Sequence, residues 1–365
     1  MRSCPNPKWA TSLTSSGTAS AASPSERLCA APGPRIGIVG VGSFGCHHAR
    51  VARGLAGATC SGIYDTDDRR AEAVGRRIGA RIMPSLDDLL AVSDGVVVAV
   101  PTTAHEEVAV AAIRAGTHVF IEKPIAPDKE SADRILKEAR SRGAIVQVGH
   151  VERFNPALVA ARPYLDRPLF VESHRLAPFV PRSLDVAVVL DLMIHDVDLL
   201  CTLVGRPVTE LAAVGVPVLS RHVDIANARV SFEGGAVANL TASRVSVSTV
   251  RKLRVWQPSG YLSLDLAAGK GEFYRLKEGV SVLDGVPLPK GVSSLAGLAS
   301  VVERIPIRGD RTEPLAAELS AFRDAVAGLA PPPVTGEDGL RALELALAIE
   351  QQIEDHVANT RSASA

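Results

Sequence analysis

The sequence predicts an α/β domain built on a doubly wound parallel sheet, followed by an α+β domain carrying an open, largely antiparallel sheet. Three observations predict this. Short apolar segments alternate with helical patterns from Arg35 to about Gly149. Those segments, such as Gly95–Val100 (GVVVAV), are apolar throughout, as strands buried on both faces should be. Beyond Gly149 the alternation gives way to successive strands between Val208 and about Tyr274, some with period-2 patterning, and two helices close the chain.

The elements follow in order. Arg35–Gly40 (RIGIVG) reads as a strand and Phe44–Leu55 as a helix. Ala58–Tyr64 is a strand and Asp67–Ile78 a helix, followed by a very short strand at Arg81–Met83 and a short helix at Leu86–Val92. Gly95–Val100, His118–Ile121 and Ala144–Val148 are strands, separated by helices at Glu106–Ala115 and Lys129–Ser141. Strand–helix alternation implies crossover connections and parallel pairing. Leu169–Leu176 is a strand, and a helix surrounds Leu190–Leu203. Ile225–Phe232 and Ala236–Ala242 flank Glu233-Gly234-Gly235, a hairpin signal, and Arg251–Gln257 and Tyr261–Leu266 flank Pro258-Ser259-Gly260. Leu315–Ala327 and Asp338–Glu354 are the closing helices, with the Pro331–Pro333 loop between them. The expected division is an extension outside the fold at 1–34, a nucleotide domain at 35–150, a substrate-binding and oligomerisation domain at 151–355, and a tail at 356–365.

Composition narrows the function classes. The chain has 365 residues, and its 40 basic residues balance 40 acidic ones, so no net positive charge is available to hold a polyanion. Aromatics make up 4%, too few for base-stacking platforms, and nucleic-acid binding is not expected. No apolar run approaches the ~20 residues of a membrane-spanning helix. The five cysteines, Cys4, Cys29, Cys46, Cys60 and Cys201, are odd in number and never spaced C-x-x-C. They indicate neither a disulfide framework nor a zinc site, and fit a reducing cytoplasm. Residues 1–34, rich in Ser, Ala, Pro and Thr, lack the apolar core of a secretory signal.

Gly40-Val41-Gly42-Ser43-Phe44-Gly45 matches G-x-G-x-x-G between a predicted strand and a predicted helix. In that context Gly40 permits a tight turn, Gly42 lets a pyrophosphate approach the backbone, and Gly45 lets helix and strand pack closely. The N–H groups at Ser43, Phe44 and the helix start then hold phosphate. This is the Rossmann dinucleotide-binding arrangement. Asp65 ends the second strand, where a carboxylate accepts hydrogen bonds from a ribose and repels a 2′-phosphate, so NAD is expected over NADP. Arg69 and Arg70 stand close enough to reach a 2′-phosphate, which leaves NADP as the lesser alternative.

Glu122-Lys123-Pro124 ends a predicted parallel strand. Ligands gather beyond the carboxyl ends of such strands, so Lys123 is placed near the nicotinamide, where an ammonium stabilises a developing alkoxide. Pro101 and His105, after another strand, and Glu122 are further candidates for the cofactor site. His150, beyond the last strand of this domain, is a candidate to line the same cleft. Asp191 and His195 stand i, i+4 on a predicted helix, which places them on one face. A carboxylate beside an imidazole orients it as a base for an alcohol proton. A surface ion pair has the same spacing. Two metal ligands have it too, but no clear third ligand accompanies them, and no metal is expected.

Together, the glycine turn, Glu122-Lys123-Pro124 and the Asp191/His195 pair resemble the glucose–fructose oxidoreductase/inositol dehydrogenase (Gfo/Idh/MocA) family over residues 35–355. The resemblance implies NAD(P)-dependent oxidation of a sugar or cyclitol hydroxyl. It assigns Lys123 to substrate and nicotinamide positioning, His195 to acid/base chemistry, and Asp191 to hydroxyl binding or orientation of His195. It also implies homodimers or homotetramers built through the open sheet. Val148–Pro156 (VGHVERFNP), Ser183-Leu184-Asp185 and Leu253–Pro258 (LRVWQP) are similar to the branch of UDP-N-acetylglucosamine 3-dehydrogenases, which oxidise the sugar 3-hydroxyl. Arg153, Asn155, Arg175 and Arg182 are then the candidates for substrate binding, the arginines by bidentate bonds to a diphosphate. The alternatives are an inositol or other free-polyol dehydrogenase, and a non-catalytic NAD-binding regulator on the same fold. The catalytic reading requires Lys123, His195 and nicotinamide C4 to meet at one carbinol carbon.

Overall fold

The computed structural model describes residues 33–180, 187–278 and 301–363, the side chains of 360–363 excepted. Most of the expected extension at 1–34, with Cys4 and Cys29, lies outside the described residues. So do Arg182 and Ser183-Leu184-Asp185. The described residues form two compact units. One runs to Val151 and also takes in Glu313–Leu343, and the other holds Glu152–Thr312 and the chain from Glu344. The expectation of one continuous domain over 151–355 did not include the return of Glu313–Leu343 to the first unit.

The first unit contains β1 (Arg35–Val39), β2 (Thr59–Tyr64), β3 (Gly95–Val98), β4 (His118–Glu122) and β5 (Val146–Gly149), all parallel, in the order β2-β1-β3-β4-β5. Helices α1 (Gly45–Gly54), α2 (Asp68–Ile78), α3 (Leu86–Ala91), α4 (His105–Arg114) and α5 (Lys129–Arg142) connect them. Asp67, Ser85 and Asp128 cap α2, α3 and α5 by accepting backbone N–H bonds, and Gly79 and Gly143 end α2 and α5 in the left-handed conformation. The expected short strand at Arg81–Met83 is reduced to a single bridge between Ile63 and Ile82. The unit is completed by α8 (Pro314–Val326) and the first part of α9 (Gly336–Ala363). Phe322 packs edge-on against Phe120 of β4, and no Cβ fits at Gly95 without pressing on the Phe322 ring. The core joins Ile36, Ile38, Ile63, Val97 and Phe120 to Leu319 and Phe322.

The second unit is an eight-stranded sheet in the order β13-β12-β11-β10-β6-β9-β8-β7. The strands are β6 (Phe170–Leu176), β7 (Val208–Val216), β8 (Ile225–Phe232), β9 (Val237–Ser243), β10 (Val250–Gln257), β11 (Gly260–Asp265), β12 (Lys270–Leu276) and β13 (Val302–Arg308). Every pairing is antiparallel except β6 with β9. Alternate residues are buried under α6 (Pro156–Ala161) and α7 (Ile194–Val204), which pack on one face. On the other face Phe170, Trp256, Tyr261 and Tyr274 form a cross-strand aromatic row with centroids 4.9 to 5.8 Å apart. β13, α6 and the extension of α9 past Glu354 to Ala363 differ from the sequence expectation. Among the described residues no helix is long and apolar enough to cross a membrane.

Candidate active site

In the first unit the candidate residues lie at the carboxyl ends of the strands. Gly40 has φ +83°, and a Cβ there would lie 2.6 Å from the Ala99 carbonyl oxygen. A Cβ on Gly45 would sit 1.9 Å from the Gly40 oxygen, so both positions require glycine for close packing. Gly42 differs: a Cβ there would meet nothing within 4 Å. Its backbone faces open space beside the exposed Ser43 and Phe44. α1 starts with no side-chain cap and no acidic residue in its first turn. An accessible backbone at an uncapped, electropositive helix start fits a dinucleotide pyrophosphate. Pro101, exposed beyond β3, lies on the same edge of the sheet.

Asp65 is buried, and its carboxylate braces the glycine turn. Oδ2 accepts from Val41 N at 2.8 Å and Oδ1 from Asp67 N at 2.9 Å, while the half-exposed Arg70 reaches Oδ1 at 3.2 Å. Beside the ribose contact expected of Asp65, the structure shows this carboxylate holding the backbone between Gly40 and Gly42.

Glu122 and Lys123 are tied to their surroundings from two sides. The Lys123 peptide N–H donates to Glu122 Oε2 at 3.0 Å, and His48 Nε2 from α1 lies 2.5 Å from Glu122 Oε1. Burial pushes the Glu122 carboxyl up, but the bond from His48 and the nearby Lys123 charge outweigh it and hold it below the usual carboxylate range. His48 therefore joins the helix of the phosphate turn to the strand end carrying Lys123. The sequence alone assigned this histidine no role; its place as the fourth residue of α1, directly behind the glycine turn, was the available signal. The Lys123–Pro124 peptide is cis. His105 is buried, with Nδ1 2.9 Å from the Pro124 oxygen and Nε2 3.1 Å from the Val100 oxygen. Burial lowers its pKa against the pull of those carbonyls. A neutral ring donates to one of the two. His105 thus holds the loops after β3 and β4, where the sequence reading had it lining the cofactor. His150 is likewise buried.

In the second unit, Asp191 and His195 are half-buried but do not share one regular helix. Asp191 lies in a π-helical turn, Val189–Met193, and His195 in the first turn of α7. The expected i, i+4 face assumed 3.6 residues per turn throughout, whereas the turn that holds Asp191 is wider. Around α7 lies a buried charge cluster. Arg175 donates to both Asp196 oxygens, at 2.7 and 3.0 Å, and to Glu152 at 2.8 Å. Arg153 donates to both Asp198 oxygens, at 2.8 and 2.5 Å. Asn155 donates to Glu152 and to the Leu266 oxygen and caps α6 through its own oxygen. Arg153, Asn155 and Arg175, expected to bind substrate, are therefore engaged inside the protein, because buried charges hold only when paired. Among the described residues no group of three or more His, Cys, Asp or Glu is placed to hold a metal ion.

A parallel sheet with an open glycine turn at an uncapped helix start defines a dinucleotide-binding domain. Residues 34–150 match the Gfo/Idh/MocA model described as an oxidoreductase family with an NAD-binding Rossmann fold, and residues 164–262 match the Gfo/Idh/MocA C-terminal domain. The chain belongs to the Gfo/Idh/MocA family of NAD-dependent oxidoreductases. It is 36% identical to UDP-N-acetylglucosamine 3-dehydrogenase of Acidithiobacillus ferrooxidans over 88% of this chain and 97% of that one. A solved structure of that enzyme superposes with a TM-score of 0.79 over 88% of this chain and 98% of the other. It is also 36% identical to an inositol 2-dehydrogenase of Cereibacter sphaeroides, over 52% of this chain and 59% of the relative.

Proposed function

We propose that this chain oxidises the 3-hydroxyl of UDP-N-acetylglucosamine with NAD. The observation that carries this is the reach of the likeness. Similarity to the UDP-N-acetylglucosamine 3-dehydrogenase spans 88% of the chain, through both units, whereas similarity to the inositol 2-dehydrogenase spans 52%. NAD, when bound, would supply the hydride acceptor. Gly40, Gly42, Ser43, Phe44 and Gly45 would hold its pyrophosphate, Asp65 its ribose, and Pro101 and Glu122 would border the cofactor. His195 takes the hydroxyl proton as the carbinol C–H bond gives up its electron pair, and the carbinol becomes a ketone. The Lys123 ammonium would stabilise the charge that develops on a hydroxyl oxygen. Asp191 binds a substrate hydroxyl or orients His195.

One observation favours the free-polyol alternative: Arg153 and Arg175 are already committed to Asp198 and Asp196. A diphosphate then requires other cations. NADH formation at 340 nm over a panel of UDP-sugars and cyclitols, coupled to an aminotransferase that consumes the keto-sugar, decides between the readings. Turnover of UDP-N-acetylglucosamine is expected. Turnover of myo-inositol without it overturns the proposal. NAD binding with no turnover of any sugar returns the regulator reading.

The assembly that accompanies this function is a homodimer or homotetramer closed over the open face of the eight-stranded sheet. The half-buried row from Phe170 to Tyr274 supplies an apolar stripe for a second copy. Light scattering of Trp256→Glu, expected to show a smaller particle, tests it. The reduced thiols Cys46, Cys60 and Cys201 accord with a cytoplasmic enzyme.

A further inference from the structure

The helix that carries His195 is gripped on two sides. Successive residues of an α-helix are about 100° apart around the axis. Asp196 therefore projects about 100° to one side of His195, and Asp198, three residues on, about 60° to the other. Each carboxylate is held by both arms of a guanidinium. Asp196 is paired with Arg175 of β6, and Asp198 with Arg153 of the 3-10 turn Val151–Phe154. All four side chains are buried, Asp198 completely.

The Arg175 guanidinium is anchored in turn. Arg175 sits on a central strand, paired with β10 and β9, and its remaining arm reaches Glu152, which also takes a bond from Asn155. Thr202 Oγ1 donates to the Asp198 carbonyl inside the helix. Rotation of α7 in either sense stretches one of the two forks. Rotation is also the freedom that matters here, because the π-helical turn Val189–Met193 interrupts the regular run that would otherwise set the phase of α7 from upstream.

We propose that Arg175 and Arg153 are positioning residues for His195: paired with Asp196 and Asp198, they set the rotation of α7 and so the direction of the imidazole. This rests on the role given to His195 above. It also replaces the diphosphate-binding role that the sequence suggested for these two arginines. A bidentate fork fixes an angle as well as a distance, whereas a lysine at the same position keeps the charge and loses the angle.

The test uses the full chain with Arg175→Lys and Arg153→Lys, and Asp196→Asn as a near-isosteric third variant should a lysine variant fail to fold. Turnover is measured with whichever sugar of the panel the wild type oxidises, and the NAD dissociation constant by nucleotide fluorescence. Each variant is expected to lose tenfold or more in kcat, with KM for the sugar within threefold and NAD affinity unchanged. In a His195→Ala background the same substitutions should change the residual turnover less than twofold, since there is no imidazole left to aim. A tenfold rise in KM with kcat intact overturns the proposal in favour of direct substrate binding. An equal loss of kcat with and without His195 overturns it in favour of a purely structural role. Should the wild type oxidise no sugar, the functional reading above fails by itself. The grip is then read by amide hydrogen exchange over 189–204. Exchange at least tenfold faster there in Arg175→Lys, with β9 unchanged, supports the grip, and an unchanged rate overturns it.

Discussion

The two units hold their chemistry-bearing residues by different means. In the first, backbone geometry does most of it: the glycine turn is shaped by φ and close packing, Asp65 braces it through N–H groups, and His105 faces two loop carbonyls. In the second, paired side-chain charges do it, with Arg175, Arg153, Asp196, Asp198 and Glu152 buried together. Backbone support is local and tolerates most substitutions away from the glycines. Charge support is long-range and fails as a whole when one member is lost, because an uncompensated buried ion remains.

The largest effects should come from the reacting groups themselves. Lys123→Ala and His195→Ala are each expected to lower kcat by roughly 10²–10⁴-fold with NAD affinity nearly unchanged, as read by stopped-flow NADH absorbance and fluorescence titration. Near-normal turnover in either breaks the assignment. Asp198→Ala leaves the Arg153 guanidinium buried without its fork partner and should cost about 3–5 kcal/mol in urea unfolding. A loss under 1 kcal/mol would mean that the charge cluster is not the support described.

Gly42→Ala sharpens the contrast from the other side. Its Cβ meets no neighbour, so the melting temperature should move little, while NAD binding weakens about tenfold because the pyrophosphate loses its approach. The smallest effect is one of pH. Glu350, beside Glu354 on α9, has its carboxyl pushed by burial and by that neighbour from the ordinary 4.5 to about 7. Between those values the folded chain keeps a proton that the unfolded chain has released, so stability falls as pH rises through this window. Glu350→Gln should therefore raise stability at pH 8 by roughly 1–2 kcal/mol, the part-exposed carboxyl being screened by water, and change little at pH 4.

The difference in support also explains what could be read in advance. β1 to β5 and their helices stand close to where the alternation of apolar segments placed them, and the glycine turn was legible because three glycines at fixed offsets report a local backbone shape. The partners of Arg153 and Arg175 were not legible, since a sequence displays charges and not which carboxylate each will meet. The π-helical turn that holds Asp191 was not legible, because its wider period leaves no separate mark in the sequence. β13 went unnoticed because Pro306 interrupts it. As the last strand of the sheet it tolerates a proline, since an edge leaves N–H positions unpaired. Nor does an amphipathic helix such as α8 declare which sheet it covers; only Phe322 meeting Phe120 reveals that.

That last contact has a bearing on how the molecule is made. Residues 33–151 leave the ribosome with the pocket over Phe120 and Gly95 still vacant, and the ring that fills it follows only after β6 to β13. Domains generally mature in the order of their synthesis, but here the half begun first cannot close until the strands of the other have been made. Its nascent form must keep an apolar socket bared to the solvent while those strands are made.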